Sequence, residues 1–191
     1  MTPIFVVDAF TDGPFSGNPA GVCLLDAPAE AAWMQAVAEE MKHAETAFLW
    51  PEGDAYRLRW FTPTVEVDLC GHATLASAHV LHQEQGLSEV RFQTLSGVLS
   101  ARAAGEGITL DFPAEPVSEC DLPWMPKIAE PIFMGRNRMD WFLEVADEAA
   151  LRAWNPDIAA IEAMGMRGFI VTARAESGCD FVSRFFAPQS G

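Results

Sequence analysis

Apolar and polar positions alternate between two periods along the chain, and the switches mark its elements. Residues 4–10 (Ile-Phe-Val-Val-Asp-Ala-Phe) form an apolar run that predicts a buried strand, followed by a turn-rich loop over 11–19. Ala20 to Leu25 predicts a second strand. From about Ala29 to Lys42 the period becomes helical: Trp33, Val37 and Met41 share a face beside Met34 and Ala38, with Glu30, Glu39 and Glu40 elsewhere. Thr46–Trp50 return to strand. In Tyr56–Phe61, Arg57 and Arg59 alternate with Leu58 and Trp60, the signature of a half-buried strand. Residues 62–74 lead into an alanine-rich helix that should stop near Gly86, a residue free to take the left-handed cap. Three short strands are expected near 89–94, 97–103 and 107–112, with turns at Ser96-Gly97 and Gly105-Glu106-Gly107.

Pro113, Pro116, Pro123 and Pro126 then interrupt any periodicity, so a domain boundary is placed there, with domains over 1–115 and 116–191. Beyond it the plan restarts. Strands are expected at Pro131–Gly135 and Trp141–Val145, a helical region from Asp147 to Met164 that Pro156 can break, and strands at 168–173 and 180–186. Arg59-Trp60-Phe61-Thr62-Pro63 aligns with Arg184-Phe185-Phe186-Ala187-Pro188, which suggests two copies of one unit. In the first copy the proline leads on to a helix; in the second, three residues follow. The second domain is therefore expected to be incomplete and to expose the inward faces of Phe169, Val171, Phe181 and Phe185.

Half of the 191 residues are hydrophobic and a fifth are charged, as in an ordinary globular chain able to bury a core. The formal charge of −15 repels nucleic acid and anionic membranes, and both are excluded as partners. The N-terminus has no basic segment followed by a long apolar run, and no stretch approaches the ~20 apolar residues of a membrane span. Cys23, Cys70, Cys120 and Cys179 form no Cys-x-x-Cys pair and read as reduced thiols, so a cytoplasmic location is expected.

Three segments could carry chemistry. In Leu69-Cys70-Gly71-His72-Ala73-Thr74, a glycine at a helix mouth exposes N–H groups to an anion, and a histidine there is favoured in its neutral form. The same pattern is met, more often, by a glycine that only turns the chain and a histidine facing water. Glu45 stands where a helix gives way to an apolar strand, so burial could raise its pKa toward that of a general base; most glutamates at such junctions are simply solvated. Asn18, in Gly17-Asn18-Pro19, could present its amide to a ligand or merely form a turn. Cys70 could be a nucleophile, its pKa lowered by the helix N-terminus, or a small buried thiol. His72, His79 and His82, at offsets of seven and ten, lack the spacing of a metal site, and no metal is expected to bridge them. No dinucleotide- or phosphate-binding glycine motif is present.

Val7-Asp8-Ala9-Phe10, Phe15-Ser16-Gly17-Asn18-Pro19-Ala20, Glu45-Thr46-Ala47-Phe48 and Glu66-Val67-Asp68-Leu69-Cys70-Gly71-His72-Ala73-Thr74, in this order, resemble the PhzF family of phenazine biosynthesis. The resemblance implies an α+β, diaminopimelate-epimerase-like fold: two similar domains, each a bent, mostly antiparallel sheet around a central helix, with the active site between them. It implies an isomerase that uses neither metal nor organic cofactor, with Glu45 shuttling a proton on carbon. Asn18, Cys70, Gly71 and His72 would bind a small carboxylate, and a homodimer is expected. The family's best-known member isomerises trans-2,3-dihydro-3-hydroxyanthranilate. A second half-site, an Asp-Pro-x-x-Gly-Ser-Ala type turn, should follow Ser190-Gly191 and is absent, as is a C-terminal strand returning to the first domain. An amino-acid racemase using Cys70, a non-catalytic binding protein on the same fold, and a metal-dependent enzyme using the histidine helix stand as alternatives.

Overall fold

The computed structural model describes residues 2–190 apart from Pro14 and Glu106. The turn expected at Glu106 and that part of the 11–19 loop lie outside the described residues. The chain separates into two compact units, Met1–Pro113 and Ala114–Gly191.

In the first unit, β1 (Ile4–Ala9) pairs antiparallel with β2 (Asn18–Leu24). Helix α1 (Ala31–Met41) carries the chain across to β3 (Glu45–Glu52), which runs parallel to β2. A parallel pair needs such a crossover. β4 (Ala55–Phe61) returns antiparallel, and the two-residue β5 (Glu66–Val67) pairs with its end. Helix α2 (Gly71–Gln85) then leads to β6 (Glu89–Thr94), parallel to β4, and to the antiparallel β7 (Gly97–Ala104) and β8 (Gly107–Asp111).

β3 reads as a continuous apolar run because both of its faces are covered. Ala47 and Leu49 face α2 together with Ala20, Val22, Leu58 and Trp60. Phe48 and Trp50 face α1 with Cys23 and Phe61. α1 buries Met34 and Ala38, while Trp33 stays 41% exposed and Val37 half-buried. The seam is thus narrower than the Trp33–Val37–Met41 face expected from the sequence. Around α2 the sheet curls: β1, β2 and β3 touch the helix from one side, β7 and β8 from another. Only small side chains fit so close, and Ala73, Ala76, Ser77 and Ala78 are all buried. Gly86 ends α2 in the left-handed conformation, its N–H donating to the His82 carbonyl.

The second unit repeats the opening of the first. β10 (Pro131–Arg136) and β11 (Asp140–Val145) are antiparallel, and β12 (Gly168–Arg174) runs parallel to β11 after a helical crossover. β13 (Phe181–Phe186) returns antiparallel; the short β9 (Ser118–Glu119) borders β10. Pro156 splits the crossover into α3 (Glu148–Ala153) and α4 (Ile158–Ala163), each capped by an aspartate, Asp147 or Asp157, that accepts from the backbone N–H three residues on.

One expectation here is corrected. Phe169 and Val171 are fully buried against residues of α3 and α4, whereas Phe181 and Phe185 are 64% and 50% exposed. Alternate residues of a strand face opposite ways, so Ile170 and Thr172, not Phe169 and Val171, share the open face with Phe181. A cavity of about 550 Å³ lies on that face, lined also by Phe142 and Ser183. Among the described residues, no helix is long and apolar enough to cross a membrane.

Candidate active site

Glu45 is the first residue of β3, released from α1 by Lys42 in a left-handed cap. Cys70 is the extended residue before α2, and His72 is the second residue of that helix. The segment between β4 and α2 is tied down locally. Arg59 donates twice to the Glu66 carboxylate, at 2.6 and 2.7 Å, and the Thr62 hydroxyl accepts from the Val65 N–H at 3.0 Å. Gln35 of α1 donates to the Thr62 carbonyl at 2.9 Å. These bonds hold the mouth of α2 beside the start of β3.

There the three side chains converge. His72 Nε2 lies 3.3 Å from Glu45 Oε2, and Cys70 Sγ lies 3.4 Å from His72 Nδ1. The thiol also donates to the Glu45 carboxylate. The His72–Glu45 contact has the separation of an ion pair but not its alignment, since buried Nε2 makes no hydrogen bond.

Burial acts on all three groups against their charged forms. It raises the Glu45 carboxyl above its usual range, with the Cys70 thiol partly offsetting it. It lowers the His72 imidazole, against the opposing pull of the Pro19 carbonyl. It pushes the Cys70 thiol far up, helped by the Glu45 charge; the N–H groups of Ala73 and His72 oppose this without forming a side-chain cap. Burial thus favours the uncharged form of all three groups.

The room for a ligand is at Gly71. This residue is exposed, and a side chain built there would meet nothing within 4 Å, so the first N–H groups of α2 can be approached closely. Asn18 is exposed at the start of β2, and the neighbouring Pro19, not Asn18, supplies the contact to His72. That contact follows from the pairing of Ala20 with Glu45 in the parallel β2–β3 ladder, which no local pattern reveals. His79 is exposed, and His82 is engaged with the Leu87 carbonyl at 3.0 Å. Neither belongs to the one grouping of three metal-capable side chains among the described residues, which is Glu45, Cys70 and His72. The cavity of about 550 Å³ in the second unit is bordered by Glu144, Arg174 and Asp180, none of which belongs to that grouping.

A family model described as phenazine biosynthesis-like protein, PhzC-PhzF, matches residues 7–191. An uncharacterised isomerase of Halalkalibacterium halodurans is 48% identical across 100% of this chain and 75% of its own length. The crystal structure of a phenazine biosynthesis PhzF-family protein from Enterococcus faecalis superposes with a TM-score of 0.86 at 39% identity, covering 98% of this chain and 74% of the other. A predicted epimerase from Pseudomonas aeruginosa shares the fold, with a TM-score of 0.64 at 24% identity over 88% of this chain and 68% of that one. The fold is α+β and diaminopimelate-epimerase-like, with curled sheets and few helices.

Proposed function

The chain belongs to the PhzC-PhzF phenazine biosynthesis-like family, and from that premise we propose that it is an isomerase acting on a small carboxylate, with Glu45 as its acid–base residue. The observation that carries this reading is the 3.3 Å approach of Glu45 to His72 at an open helix N-terminus. A base and an anion-holding group must touch the same substrate.

The Glu45 carboxylate removes a proton from a carbon next to the substrate's unsaturated system, and charge spreads onto oxygen. The protonated carboxyl, after exchanging its proton with solvent, then delivers a proton to another carbon of the same molecule. The N–H groups at Gly71–His72 hold the substrate carboxylate in the positive field of the helix end, which overrides locally the chain's overall charge of −15. Neutral His72 donates a hydrogen bond where an imidazolium would lock Glu45 in an ion pair. Burial that raises the Glu45 pKa makes the carboxylate a stronger base than a solvated glutamate. The thiol of Cys70 is too strongly held in its protonated form to serve as the base of a racemase. No step of this scheme calls on a metal or an organic cofactor.

The test is deuterium incorporation. With dihydro-hydroxyanthranilate-like carboxylates in D₂O, the protein should place deuterium on substrate carbon, detected by NMR. Glu45→Gln should lower that rate by about 10²–10⁴-fold, the usual contribution of a positioned general base. Exchange that persists in Glu45→Gln and disappears in Cys70→Ser would overturn the assignment in favour of the thiol.

A further inference from the structure

We propose that the second unit carries a binding site for a small oxyanion, a phosphate or a carboxylate, built on Arg136 at the end of β10. A cavity of about 400 Å³ there is lined by Ser118, Arg136, Asn137 and Arg138, with Pro116 and Met166 completing its wall. Strand register sets the arrangement. Arg136 pairs with Ser118 of β9 on one side and with Trp141 of β11 on the other, so the three side chains stand on one face of the sheet. β9 can lie this close to β10 because residue 135 is glycine; a side chain there would run into the Ser118 carbonyl.

Arg136 is prepared for an anion. The central carbon of its guanidinium lies 5.7 Å from the centre of the Trp141 ring, and that indole is fixed by its own N–H donating to the Met164 carbonyl at 3.1 Å. Stacking uses the face of the guanidinium and leaves the N–H groups along its edge free to fork onto two oxygens. Among the described residues no carboxylate pairs with it: Asp140 is held by Arg167 at 2.9 and 2.5 Å, and Glu115 by Arg138 at 2.7 Å. Asn137 uses its Oδ1 to accept from the Met139 and Asp140 N–H groups, at 2.8 and 2.7 Å, which leaves its amide nitrogen as a donor among the lining groups. Ser118 adds a hydroxyl. A guanidinium, an amide N–H and a hydroxyl suit an oxyanion and offer little to a cation. The overall charge of −15 does not prevent this, because at physiological salt exposed charges are screened beyond about 8 Å. The site stands apart from Glu45, Cys70 and His72, which lie in the first unit, and it does not depend on the isomerase reading.

The test is an NMR titration of the isotope-labelled 191-residue chain with inorganic pyrophosphate and, separately, with malonate, each against sodium chloride of equal ionic strength. The reporter is the Trp141 indole N–H, assigned by its loss in Trp141→Phe, which tells this site from anion binding at the start of α2. We expect that resonance to move and to saturate. Pyrophosphate binding tighter than malonate assigns a phosphate group, and the reverse order a carboxylate. Arg136→Gln should weaken binding by about tenfold or more, the scale of hydrogen bonds to one charged group. Arg136→Lys, which keeps the charge but loses the fork, should fall between the two. Glu115→Gln should tighten binding, since it removes a negative charge and frees Arg138. Arg102→Gln, at an exposed position of β7, should leave it unchanged. A Trp141 resonance that moves no further than in sodium chloride overturns the proposal. So does unchanged affinity in Arg136→Gln, checked for folding by its thermal melt.

Discussion

At the scale of single residues, the site holds a charge where the fold disfavours one, and this has a measurable consequence. Burial raises the Glu45 pKa above its ordinary 4.5, so the folded state binds this proton more tightly than the unfolded state does. The associated stability is fully present below that ordinary value and is lost as pH rises through the folded pKa. Glu45→Gln should therefore melt higher than the parent at neutral pH, with the two curves converging in acid. A thermal-melt series across pH measures it. His72 has the opposite dependence: its lowered pKa gives stability present above 6.5 and lost as pH falls. Next to Glu45, the buried Thr46 hydroxyl has no hydrogen-bond partner. Thr46→Val keeps the shape and removes an unpaired polar group. It should leave the urea midpoint unchanged or raise stability by about 1 kcal/mol, within the ~1–3 kcal/mol that an unsatisfied group costs. A clear loss of stability would show that the hydroxyl is partnered in solution.

At the scale of elements, α2 has two separable tasks. Its body fills the curled sheet, and its first turn faces a ligand. Gly71 belongs to the second task, because its surroundings are open and its backbone is not left-handed. Gly71→Ala should accordingly shift stability by no more than about 0.5 kcal/mol, as at other exposed sites, while raising KM by crowding the approach to the helix N–H groups. Equal melting curves with a changed KM are the expected pair of results; an unchanged KM would place the substrate elsewhere. The low amphipathicity of α2 belongs to the first task. With strands on several sides, Ala73, Ala76, Ala78 and Leu81 are buried together, and no single apolar stripe is left to read.

At the scale of the whole chain, the second unit has one covered sheet face and one open one. α3 and α4 cover Phe169 and Val171, while Phe181, Ile170 and Phe142 border the cavity on the other face. In the first unit both faces carry a helix, α1 on one and α2 on the other. We therefore expect the chain in dilute solution to bind an apolar dye at the open face. Phe181→Lys should reduce that fluorescence, whereas Val6→Lys, an equally exposed substitution on β1, should not. Equal effects of the two would place the dye elsewhere.

Most elements were legible because their signals are local: period-two alternation in β4, Gly86 behind α2, and Pro156 between α3 and α4. Candidate site residues were legible as residue types at helix and strand starts, and the order of four motifs pointed to a family. Which face each strand turns inward was not legible. Shifting the view by one residue exchanges Phe169 for Ile170, and hydrophobicity is the same on both sides of such a run. Nor does any local pattern show that Ala20 pairs with Glu45, that the Pro19 carbonyl touches His72, or that Cys70 reaches both its neighbours. The sequence alone determined the elements and the chemistry available, since propensity and capping act within a few residues. Only the tertiary structure decided which groups meet and what burial does to their protons, because strand register and desolvation are set by residues far apart in the chain.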